Sequence, residues 1–164
     1  MAVSQNGWKA SADPSEINVK SFMIPGTDRK IRLNADCAPI LLAFCAEFDK
    51  KVESIDGGVL DDWGYAYRPV RGQDVVLSNH ASGTAVDLNA PRHPLGKANT
   101  FTLKQRIVIS QLIKKYGINW GGLYKNRKDD MHFEIVETPA QVKARIKKLN
   151  LTPQGYVAKP GKTA

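Results

Sequence analysis

In Ser78-Asn-His-Ala-Ser-Gly-Thr-Ala-Val-Asp87 a histidine and an aspartate stand on either side of a turn built from small side chains. Gly83 permits a backbone conformation, or a close approach, that a side chain would block. The chain can therefore fold back, and Thr84-Ala-Val-Asp-Leu88 reads as a short strand that carries Asp87 on the second pass. His80 and Asp87 are then able to converge on one ion from neighbouring passes.

A third donor lies downstream. Met131-His-Phe-Glu-Ile-Val136 alternates as a strand does, with Met131, Phe133 and Ile135 on one face and His132 and Glu134 on the other. His80, Asp87 and His132 make a set of two imidazoles and one carboxylate. Three protein ligands with a fourth position left open is the arrangement of catalytic zinc. A histidine taken alone is more often a satisfied structural residue, but here Asp129-Asp130 immediately precedes Met131-His132. Either carboxylate could sit within reach of a water proton at the metal, as a general base must.

Around these segments the sequence reads as α+β, because helices and strands do not alternate regularly. Leu41, Phe44, Cys45, Phe48, Val52 and Ile55 recur at a period near 3.6 and predict a helix over about 36–54, with Asp36 as its N-cap, Pro39 in its first turn and Gly57-Gly58 at its end. A second helix is expected over about 102–116, stopped by Gly117. Thr138-Pro-Ala-Gln141 is a capping box with proline at the first helical position, and it opens a third helix whose buried stripe is Val142, Ile146 and Leu149. Residues 1–15 read as irregular, and an apolar stretch around Val19–Ile24 ends at the turn Pro25-Gly26. The domain is expected over 1–152, with 153–164 a flexible tail or the start of a linker.

The 164 residues carry 24 Lys+Arg against 16 Asp+Glu, a formal charge of +8. Six of the basic residues and none of the acids fall in 141–164, so 1–140 keeps 18 basic against 16 acidic groups. An anionic partner is implied, and it sets no chemistry. No apolar run approaches the ~20 residues of a membrane helix, and Met1–Trp8 has no export-signal pattern. No helix-turn-helix, RRM or zinc-finger pattern accompanies the charge, so nucleic acid is not expected as a partner. Cys37 and Cys45 are eight residues apart in the first helix, a rise of ~12 Å against the ~7 Å limit of a disulfide, and are expected as buried thiols. His132-x-Glu134 looks like the deaminase H-x-E element, but no cysteine follows position 45.

Ser78-x-His80-x-x-Gly83-x-Ala85-x-Asp87 resembles the SxHxxGxAxD signature of the LAS (VanY-like) metallopeptidases, and Asp129-x-x-His132 resembles their second motif. Trp120-Gly-Gly122 ahead of these residues is similar to the branch that holds phage endolysin peptidases and carboxypeptidases. The resemblance spans about Tyr65 to Glu134. It implies a small antiparallel sheet carrying the zinc site, packed on about three helices, in the LAS or hedgehog-like manner. It also implies one Zn²⁺ per chain on His80, Asp87 and His132, with Asp129 as the base and Asp130 the weaker candidate. Arg68 would bind substrate and hold the oxyanion, with Arg71 in reserve. Ser78 is assigned to ligand or substrate orientation, and Glu134 to orienting His132 or to a solvated strand face. The substrate implied is the stem peptide of bacterial peptidoglycan, cut by a monomer at the L-alanyl-D-glutamate bond as an endolysin does. Such a protein is made in the cytoplasm and reaches the wall through a separate pore. The alternatives are a D-alanyl-D-alanine carboxypeptidase and a non-catalytic zinc-containing wall-binding module. His93, outside both motifs, is expected as an exposed loop residue; Trp63, Trp120 and Tyr124 could line a cleft, but aromatic residues so placed are more often core or rim.

Overall fold

The computed structural model describes residues 1–55, 61–72 and 75–160. In chain order they form β1 (Val19–Met23), β2 (Lys30–Asn34), α1 (Ala38–Lys51), β3 (Ala85–Asp87), α2 (Leu103–Tyr116), β4 (Ile118–Trp120), β5 (His132–Ile135) and α3 (Pro139–Leu149). β1 and β2 make an antiparallel hairpin, while β3, β5 and β4 make an antiparallel sheet with β5 in the middle. The architecture is α+β, with three helices among the described residues.

α1 is buried almost all round from Ala38 to Cys45, so it acts as the central post of the core rather than as an amphipathic cover. Phe44 and Phe48 pack on Phe133 of β5 with ring centroids 4.7 and 5.7 Å apart, and Trp120 stacks on the same ring at 6.2 Å. The apolar face of β5 is thereby fixed, and its register leaves His132 and Glu134 on the opposite face. Burial of several aromatic side chains, each stabilising by about 2–3 kcal/mol, makes slippage of β5 by one residue prohibitive.

The helix boundaries separate local from non-local signals. Thr102 with Gln105, and Thr138 with Gln141, form reciprocal capping boxes, and Gly117 closes α2 in a left-handed conformation. α1 differs from expectation. Asn34 Oδ1 accepts from the Asp36 N–H at 2.9 Å, which turns the chain there, and the helix begins after Cys37 with no side-chain cap. Its end at Gly57-Gly58 falls outside the described residues; the α-helical hydrogen bonding runs to Val52, whose N–H donates to Phe48 O. β2 was not anticipated at all. Both cysteines are buried and unpaired.

Of the segment expected as a tail, residues 153–158 form a closed turn. Thr152 N donates to Tyr156 O at 2.7 Å and Ala158 N to Asn150 O at 2.7 Å, and Gly155 lies so close to α1 that a Cβ there would come within 2.6 Å of Leu42 Cβ. The N-terminal segment is also pinned: Trp8 is buried and its Nε1 donates to Glu137 O at 2.9 Å.

Candidate metal centre

β3 and β5 pair so that Asp87 lies directly opposite His132. His80 arrives from a 3-10 turn over Asn79–Ser82, capped by Ser78, whose Oγ accepts from the His80 N–H at 3.2 Å. Gly83 ends that turn at φ +71°, and a Cβ there would lie 2.6 Å from Asn34 N. The motif glycine is thus required twice, by conformation and by the close passage of β2. On the other side of β3, Trp63 exchanges backbone hydrogen bonds with Asp87 at 2.9 and 2.8 Å in an isolated bridge, so the 63–68 segment borders the site.

Three inward atoms converge. His132 Nδ1 is 2.9 Å from Asp87 Oδ1, His80 Nε2 is 3.2 Å from the same oxygen, and the two nitrogens are 3.2 Å apart. Each ring is held from outside. His80 Nδ1 donates to Gly64 O at 2.6 Å, and His132 Nε2 donates to Glu134 Oε2 at 3.0 Å. With the outer nitrogens as donors, the inner nitrogens of neutral rings present lone pairs to each other and to a carboxylate. Only a positive charge relieves that convergence.

Two imidazoles and a carboxylate suit zinc, and two ligands 2.0–2.1 Å from a tetrahedral centre lie about 3.3 Å apart. The three observed separations fit that value. The surroundings favour positive charge at this point: burial works against a charged His132, yet without a metal the hydrogen bonds to Asp87 and Glu134 hold it up to about 10. Burial likewise opposes ionisation of Asp87, but the adjacent His80 and His132 hold its carboxyl far below the ordinary range.

Glu134 is buried and fully engaged. Besides His132 it accepts from Tyr124 Oη at 2.5 Å and from Asn79 Nδ2. Asn79 is in turn fixed by the N–H of Asn6, which reaches Asn79 Oδ1 at 2.8 Å. These outer partners were not read from the sequence. Asn79 lies inside the first motif and was available there, whereas Asn6 is over seventy residues from what it holds.

Above the metal set opens a cleft of about 510 Å³ lined by Arg68, Arg71, Ser78, Tyr124 and Asp129, among others. Asp129 Oδ1 is buried with no hydrogen-bond partner among the described residues. Burial pushes its pKa up, with His132 pulling it down and Asp87 raising it further. Its loop closes on Gly121, whose carbonyl accepts from Asp129 N at 3.0 Å and where a Cβ would meet Asp129 O at 2.3 Å. Arg68 Nη2 lies 3.8 Å from Asp87 Oδ2, and Arg71 is exposed at the cleft edge.

The structure does not bring Asp130 into the cleft. Its Oδ2 accepts from Thr100 N at 2.9 Å and Thr100 Oγ1 at 2.7 Å. His93 is also placed otherwise than expected. It is 1% exposed, clamped between Thr100 and Glu53 and stacked on Phe101. Trp120 is core, Tyr124 belongs to the site, and Trp63 is 58% exposed.

Residues 71–135 match a family model described as D-alanyl-D-alanine carboxypeptidase. No curated protein and no solved structure matches the chain. The matched segment is less than half of the chain and contains His80, Asp87, Asp129, His132 and Glu134. The match supports the resemblance to the LAS, VanY-like peptidases, a zinc-dependent family, and indicates a hydrolase.

Proposed function

We propose that the protein is a zinc peptidase that opens the stem peptide of bacterial peptidoglycan at the L-alanyl-D-glutamate bond, acting as an endolysin that reaches the wall from the cytoplasm. The observation that carries the peptidase reading is the convergence of the His80, Asp87 and His132 donors beside the unpartnered Asp129 Oδ1 in one cleft. Bound there, zinc would supply Lewis-acid chemistry, polarising the scissile carbonyl and making water acidic enough to attack near neutral pH.

The chain's own residues do the rest. His80 and His132 keep their inner lone pairs available because their outer nitrogens donate to Gly64 O and Glu134. Asp129 takes the proton of the attacking water through Oδ1. It then returns that proton to the leaving amine. Arg68, held toward the cleft by Asp87, is the cation that meets charge developing on the carbonyl oxygen. Ser78 caps the turn that carries His80 and has no base arranged to make it a nucleophile.

The choice of bond rests on aspartate at the base position, a feature of the endolysin peptidases that the motifs resemble. The description of the matching family model favours a second reading, a D-alanyl-D-alanine carboxypeptidase. Digestion of purified peptidoglycan separates them: new N-terminal D-glutamate supports the first, free D-alanine the second. Asp129→Asn should lower either activity by about 10²–10⁴-fold while leaving bound zinc unchanged. Stoichiometric zinc with an uncut wall would make the protein a binding module instead.

A further inference from the structure

The cleft holds more positive charge than the chemistry above uses. Of its three acids Asp129 serves as the base and the other two are consumed inward: Asp87 faces both histidines and Arg68, and Glu134 faces His132, Tyr124 and Asn79. Lys125 and Arg127 also line the cleft, and both are exposed. Among the described residues neither forms an ion pair. They stand on the loop between Tyr124, whose hydroxyl is tied to Glu134, and Asp129. That loop is anchored at both ends, through Tyr124 N and Asp129 N on Gly121 O at 3.2 and 3.0 Å, and Lys128 O accepts from Gly96 N at 2.7 Å. The two cations are therefore presented on a fixed loop, on the Asp129 side of the cleft.

Asp129 must deliver its proton to the leaving amine, so the residue that carries that amine lies toward this same loop. We propose that Lys125 and Arg127 bind a free carboxylate on the residue supplying the leaving amine, and so select acidic peptides. Arg71, which also lines the cleft, adds to the field without belonging to that loop. This inference rests on the peptidase reading. Both candidate bonds offer the required group: D-glutamate keeps one carboxyl beyond the one that continues the chain, and a terminal D-alanine bears its C-terminal carboxyl. A charged hydrogen bond to such a group discriminates strongly against its neutral amide.

The test uses the full zinc-loaded chain and four synthetic peptides, an L-Ala–D-Glu and a D-Ala–D-Ala substrate, each as free acid and as carboxamide at the leaving-amine residue. The acid form of whichever bond is cut should exceed its amide in kcat/KM by about tenfold or more. In Lys125→Ala/Arg127→Ala that preference should collapse, mainly through KM, and Lys125→Arg/Arg127→Lys should restore it. Both cations are exposed, so an unchanged melting temperature verifies folding. Equal cleavage of acid and amide by the wild type, or a preference that survives the double alanine variant, overturns the carboxylate site and leaves the peptidase reading standing. No cleavage of any of the four overturns both.

Discussion

His132 and His93 are both buried histidines hydrogen-bonded to a glutamate, and they do opposite jobs. His93 uses both nitrogens: Nδ1 is 2.6 Å from Thr100 Oγ1 and Nε2 is 2.9 Å from Glu53 Oε1. Its ring lies flat on Phe101, centroids 3.8 Å apart. No lone pair is left to point at anything. His132 spends only its outer nitrogen on Glu134, and the inner one meets His80 Nε2 and Asp87 Oδ1. Burial beside a carboxylate therefore does not make a histidine a ligand. What makes one is an anchored outer nitrogen together with an inner nitrogen that shares its target with other donors.

The largest effect should come from attacking that convergence. His80→Ala or His132→Ala is expected to remove bound zinc, seen by elemental analysis, and to lower stem-peptide hydrolysis by about a thousandfold or more, because the charge stabilisation supplied by a metal is worth several kcal/mol. A chelator should do the same to the wild type. His93→Ala should retain one zinc per chain. Zinc retained after loss of His80, or lost after loss of His93, would break the distinction between the two kinds of histidine.

A smaller effect sharpens it. Glu134→Gln keeps an acceptor for the outer nitrogen of His132 but removes the charge that fixes and polarises the ring. Zinc affinity or activity should fall by about 10–100-fold, measured by competition with a chelator dye. An affinity unchanged within twofold would mean that ring orientation is set by packing alone, and that the anchor on Glu134 is incidental.

How much of this could be read in the sequence follows from how far apart the partners are. His80, Gly83 and Asp87 belong to one ten-residue turn, so their convergence was legible, as was the capping box of α3, whose partners are three residues apart. The burial of His93 was not, because Glu53 lies forty residues upstream and nothing adjacent announces it. The preference for Asp129 over Asp130 came from the motif resemblance and not from the strand pattern. Strand alternation extended back from His132 would put Asp130 on the site face, but the chain turns there, with His132 N donating to Asp129 O at 3.0 Å. That turn rotates Asp129 into the cleft and sends Asp130 to Thr100. The N-terminal segment gave no local sign that Asn6 would buttress Asn79 and Ile135.

The weakest effect on catalysis, and the most informative about His93, is expected from His93→Ala itself. The change leaves Glu53 with Asn89 Nδ2 and the more distant Arg92 Nη1, 3.6 Å away, and it strips Phe101 of its stacking partner. Loss of two buried hydrogen bonds should cost about 1–3 kcal/mol of stability. The cost should reach the cleft only indirectly. Thr100 Oγ1 ties His93 to Asp130, and Asp130 is the neighbour of Asp129, so a looser Thr100 lets the base wander. A few-fold fall in kcat with KM and zinc content unchanged is expected, alongside a lowered melting temperature. Thr100→Val, which cuts the same tie while leaving His93 on Glu53, should reproduce the fall in kcat with a smaller loss of stability. If Thr100→Val lowers stability but leaves kcat untouched, the Glu53–His93–Thr100–Asp130 chain is a structural clamp with no hold on the base.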